Sequence, residues 1–133
     1  MNSRGWVVAL VAVLSLGTAC SDDSTGSGAR AGTLTLRLST PHADDGAVMF
    51  EVSGPPIDSA IAVTASLRLF TRRAGGSTIV GVAVGVVTNG ALVTLQVPDV
   101  DAAPGYTARV LDVADRQNAL RASLTGYALT VTP

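Results

Sequence analysis

From Thr33 onward, apolar residues recur at every second position, and no other feature restricts the fold as tightly. Leu34, Leu36 and Leu38 alternate with Thr35, Arg37 and Ser39. That is the period of a β-strand with one face in the core and one in water. Pro41-His42-Ala43-Asp44-Asp45-Gly46 has the composition of a turn. Val48, Phe50 and Val52 then alternate with Met49, Glu51 and Ser53, until Gly54-Pro55-Pro56 ends the strand.

The same rhythm continues to the C-terminus. Ile61, Val63, Ala65, Leu67 and Leu69 stay in phase, so the spacing predicts one long strand closed by Arg72-Arg73-Ala74-Gly75-Gly76-Ser77. Thr78–Thr88 carries Val80, Val82, Val84 and Val86 on one face and Gly81, Ala83 and Gly85 on the other. Thr88-Asn89-Gly90-Ala91 is the chemistry of a type I′ hairpin, with Val93, Leu95 and Val97 answering across it. Pro98–Gly105 is a loop, and Tyr106, Ala108 and Val110 begin another strand. Between Asp115 and Leu124 two readings stand: a short helix, or a strand with a bulge at Gly126 that runs on through Tyr127, Leu129 and Val131. The second is preferred.

About seven short strands in roughly a hundred residues, without sustained helical periodicity, predict an all-β fold: a single antiparallel two-sheet β-sandwich. The segment Gly46-Ala47-Val48-Met49-Phe50-Glu51-Val52-Ser53-Gly54-Pro55 resembles the second strand of cohesin-like and related immunoglobulin-like bacterial surface modules. The resemblance covers those residues alone and implies fold only.

Ahead of this domain the chain has a different character. Met1–Arg4 is positively charged, Gly5–Leu16 is free of charge, and Gly17, Thr18 and Ala19 are small. This is the charged, apolar, small-residue order of a secretory signal. The apolar run would span about 18 Å as a helix, against about 30 Å of bilayer hydrocarbon, so a permanent transmembrane anchor is the weaker alternative.

Leu16-Gly17-Thr18-Ala19-Cys20 resembles the lipobox of bacterial lipoproteins, although Gly17 stands where that family usually has Leu. The resemblance implies cleavage before Cys20 and a diacylglyceryl thioether with further acylation, such as palmitate, at Cys20. It also implies sorting to the outer membrane, since Ser21 rather than Asp22 follows the cysteine. Cysteine count agrees with lipidation: Cys20 is the only cysteine, so an exported form has no internal disulfide to make, and lipidation would consume the thiol. An ordinary signal peptide ending near a cysteine is the alternative.

Residues 20–32 then read as the lipidated cysteine and a tether rich in Ser, Gly and Asp, too polar to pack. The expected organisation is residues 1–19 leader, 20–32 tether and 33–133 sandwich.

Charge and side-chain chemistry narrow the function. The nine cations are all Arg, one of them Arg4 in the leader, so eight remain against ten acids after cleavage, a net of −2. Such a chain has no basic patch for nucleic acid. With no Lys, one His (His42, in a turn) and no free Cys, there is no nucleophile–base pair to read from the sequence. The only Trp lies in the leader, which leaves Tyr106 and Tyr127 as sparse material for stacking sugars.

Calcium needs only oxygens, and Asp44, Asp45, Asp99 and Asp101 are loop acids that would converge if their loops met at one end of a sandwich. Their alternative role is to shape turns. The face Gly81, Ala83, Gly85 has two readings also: room for a large side chain, or an apolar edge open to a partner strand.

The expectation is therefore a non-enzymatic, lipid-anchored protein of the cell envelope. It would be held to the membrane by its lipid, with no other cofactor, and would serve as a binding or structural module for another envelope component. A small hydrolase using loop carboxylates and a calcium-stabilised adhesion module are the alternatives.

Overall fold

Leu34, Leu36 and Leu38 point inward and are buried, as are Val48, Phe50 and Val52 in the next strand and Val93, Leu95 and Val97 further on. Two layers of such strands close over one core. The computed structural model describes residues 28–133; the leader, Cys20 and most of the expected tether lie outside them. Eight strands are present: β1 (Gly32–Ser39), β2 (Asp45–Ser53), β3 (Ser59–Ala62), β4 (Arg68–Arg73), β5 (Ile79–Val87), β6 (Gly90–Val97), β7 (Thr107–Asp115) and β8 (Ala128–Thr132). A short 3-10 helix, Val100–Gly105, joins β6 to β7 and is capped by the Asp99 carboxylate. The sheets run β3-β6-β1-β8 and β4-β5-β2-β7, with every neighbour antiparallel. The chain is thus all-β, a two-sheet antiparallel sandwich, with eight strands rather than seven.

The eighth strand arises because the run from Ser59 to Arg73 does not stay in one sheet. A strand of that length would reach about 50 Å at roughly 3.3 Å per residue, well past its neighbours. Instead the Thr64 carbonyl accepts from Leu67 N–H at 3.2 Å, the Thr64 and Ser66 hydroxyls bond each other at 2.8 Å, and the chain crosses to the second sheet. Only Leu67 of the crossing segment is buried; Ile61 is 54% exposed and Val63 40%.

The Asn89-Gly90 turn also crosses between sheets, because β5 and β6 belong to different ones. It is not a hairpin, and Asn89 does not take the positive φ of a type I′ turn. The Asn89 amide instead clamps the end of β1: Oδ1 accepts from Thr40 N–H at 2.7 Å and Nδ2 donates to Thr40 O at 3.1 Å.

In β5 the inward face is Ile79, Gly81, Ala83 and Val87, all buried, whereas Val84 and Val86 are exposed. The valine row predicted as one face is therefore the outer one. A Cβ at Gly81 would overlap the Phe50 ring, and one at Gly85 would overlap the Ser66 carbonyl oxygen. Phe50 belongs to the neighbouring strand, its cross-strand partner being Gly81. The small residues make room for a ring of the same sheet and for the crossing chain.

Residues 115–124 are neither helix nor bulged strand. Asp115 Oδ1 accepts from Gln117 N–H at 2.8 Å and Ala119 N–H at 2.9 Å, Asn118 takes φ 67°, and the chain doubles back. Arg121 N–H then donates to Val113 O at 2.8 Å, so the returning chain covers the C-terminal part of the β7 edge. Gly126, at φ 86°, lies in a turn ahead of β8.

Candidate functional site

Beyond the end of β1 and the start of β2, the two sheets would open onto water between Thr40 and Asp45. Asp45 closes that opening with no exposed surface of its own. A buried carboxylate needs donors, and it has three from separate segments. The Thr40 hydroxyl donates to Oδ2 at 2.6 Å. Arg121 donates to Oδ1 through Nε at 3.0 Å and Nη2 at 2.8 Å. The Tyr127 hydroxyl donates to Oδ1 at 2.9 Å.

Arg121 Nη2 also reaches Asp44 Oδ1. Burial opposes charge on Asp45, but the hydrogen bonds from Thr40, Arg121 and Tyr127 prevail and hold its carboxyl below the usual range. The hydrogen bond from Arg121 lowers Asp44 as well. Burial raises the Tyr127 phenol, with Asp45 adding to the effect, so the phenol stays protonated and able to donate. The His42 ring leans on Tyr127 with centroids 5.9 Å apart.

At the opposite end, where the chain enters β1, Arg30 docks on the 3-10 helix. Its carbonyl accepts from Val100 N–H at 2.8 Å, its own N–H donates to Asp99 Oδ1 at 3.2 Å, and Nη2 meets Asp101 Oδ1 at 2.9 Å. Contacts of the domain thus begin at Arg30, three residues before the expected boundary at Thr33. Close by, the buried Tyr106 hydroxyl donates to Pro56 O at 2.7 Å; burial, with Asp58 and Asp99 nearby, raises its pKa.

The four acids singled out for calcium therefore do not come together. Asp44 and Asp45 lie at one end around Arg121, and Asp99 and Asp101 lie at the other around Arg30. Among the described residues, no three of His, Cys, Asp or Glu gather as metal ligands would. Gly81, Ala83 and Gly85 sit on β5, which has strand partners on both edges, so addition of a partner strand there does not apply. Cys20 lies outside the described residues. No helix among those described is long and apolar enough to cross a membrane.

Thr40, Arg121, Tyr127 and Asn89 carry the polar contacts at the Asp45 end; Asn89 reads in the sequence only as a turn residue and Tyr127 as a strand or stacking residue, and nothing marks Thr40 or Arg121. Asp45 and Arg121 are 76 positions apart, and no local pattern joins them. Every buried side-chain nitrogen and oxygen among the described residues has a hydrogen-bond partner. The Asp45 cluster is thus a saturated clamp that ties the β1–β2 connection to the segment before β8. The chain matches no family model, no curated protein and no solved structure.

Proposed function

We propose that this chain is a lipid-anchored protein of the bacterial cell envelope whose β-sandwich is a non-enzymatic binding or structural module. The observation that carries this reading is the leader ending in Leu16-Gly17-Thr18-Ala19-Cys20, with no other cysteine in the chain. Lipid on Cys20 supplies membrane attachment, since two or more acyl chains anchor durably where one does not. The ten residues from Cys20 to Ala29 separate that lipid from Arg30, the first residue docked on the sandwich. Ser21 after the cysteine favours the outer membrane in cells that have one.

The carboxylates support the non-enzymatic part of the reading through the work they already do. Asp44 and Asp45 hold Arg121, Asp101 holds Arg30, and Glu51 pairs with Arg109 at 2.9 Å. Asp99 and Asp115 cap backbone turns.

The anchor is tested by expressing the chain and its Cys20→Ala variant in a bacterium fed a labelled fatty acid. The native chain is expected to take up label and partition into the detergent phase, and the variant to do neither. Equal labelling and partitioning of the two would overturn the proposal.

A further inference from the structure

β4 is the outermost strand of its sheet. Among the described residues its backbone bonds only to β5, so its other edge offers unpaired N–H and C=O groups. Its residues are Arg68-Leu69-Phe70-Thr71-Arg72-Arg73. Arg68, Phe70 and Arg72 stand opposite Val84, Val82 and Val80, on the face turned away from the core. Leu69 stands opposite buried Ala83 on the inner face. Phe70 is 62% exposed. Arg68 and Arg72 have no ion pair among the described residues. Arg73 is occupied by the Ile57 and Asp58 carbonyls at 2.7 and 3.2 Å. The outer face of this edge thus reads cation, aromatic, cation at alternate positions.

That pattern selects a partner. Two copies of β4 pairing antiparallel about Phe70, the register that brings the rings together, would set Arg68 against Arg72 twice, and like charges directly opposite repel. A strand with carboxylates two places either side of an apolar residue places each carboxylate against an Arg and the apolar side chain against Phe70. The geometry points to the free edge of β4 as a strand-addition site for an extended acidic segment of another protein, with carboxylates flanking an apolar residue at alternate positions. This deepens the binding role proposed above and rests on it, but not on the lipid anchor: failure at β4 leaves the labelling of Cys20 untouched.

The test uses the full chain in detergent and two fluorescent peptides of one composition. In Thr-Glu-Thr-Val-Thr-Glu-Thr the carboxylates alternate with the apolar residue on one face; in Thr-Thr-Glu-Val-Glu-Thr-Thr they lie on the opposite face. The alternating peptide is expected to bind about tenfold more tightly, from its two opposite-charge pairs. Its binding should weaken with salt and slow amide exchange within Arg68–Arg73. The double substitution Arg68→Glu, Arg72→Glu should lose that peptide and gain the one with Lys in place of Glu. The peptide comparison is made on the unaltered protein and stands whether or not the substituted one folds. Equal binding of the two isomers, binding of neither, protection outside β4, or concentration-dependent pairing of the protein through β4 would each overturn the proposal.

Discussion

Asp45 brings together hydroxyls from Thr40 and Tyr127 and the guanidinium of Arg121 at a point with no solvent exposure. Removing Asp45 leaves the Thr40 and Tyr127 hydroxyls without their acceptor and Arg121 with Asp44 alone, which is more damaging than never having built the group. Asp45→Ala is expected to cost roughly 3–5 kcal/mol of unfolding free energy by denaturant titration. The pH dependence follows from the direction of the Asp45 shift. Its folded pKa is lowered, so its stabilisation is present above the ordinary carboxylate value of about 4 and is lost as pH falls through the lower folded value. Stability of the native chain should therefore fall across the acid range, and that of Asp45→Asn should fall less. An identical acid slope in both would contradict the clamp.

Gly81 makes a different demand, since the Phe50 ring fills the place of its missing side chain. Gly81→Ala should destabilise by roughly 1–3 kcal/mol through overpacking, and Phe50→Leu in the same chain should recover part of it. Strictly additive losses would mean the two residues are not in contact.

The strands that were legible in the sequence are those with one wet face. β1, β2 and β6 alternate leucine, valine or phenylalanine with polar residues, and their inward faces follow directly. β5 was legible in part: its small inward residues Gly81 and Ala83 do make room for a large side chain, but the ring is Phe50 of the neighbouring strand, while Val84 and Val86 face outward. The run from Ile61 to Leu69 misled for another reason: its phase is continuous, and the crossing rests on Thr64 and Ser66, whose preference for turns is weaker than that of Gly or Pro. Asn89-Gly90 has the composition of a hairpin, but Thr40, 49 positions away, claims the Asn89 side chain. The two readings of Asn89 separate experimentally. A type I′ turn tolerates Asn89→Gly, whereas the clamp predicts a loss of about 1–3 kcal/mol as the Thr40 backbone is left unpaired. Thermal denaturation of that single variant decides between them.

Across the whole molecule, one end of the sandwich receives the chain at Arg30 and the other is sealed by Asp45, with each pair of loop acids engaged by an arginine. Loop acids alone did not reveal this, because their sequence spacing does not say which end of a sandwich each loop occupies. Six of the seven connections between successive strands cross from one sheet to the other, and only β4 and β5 are joined as a hairpin. The described surface that results offers a free arginine-bearing edge at β4.

The claim that organises this account is that a lipid at Cys20 holds the sandwich on a membrane. Intact-mass measurement of the protein purified from bacterial membranes tests it most directly. The predicted mass is that of residues 20–133 with a diacylglyceryl group and one or more further acyl chains, all of the added mass mapping to Cys20. A mature chain starting elsewhere, or Cys20 recovered as a free thiol, would contradict it.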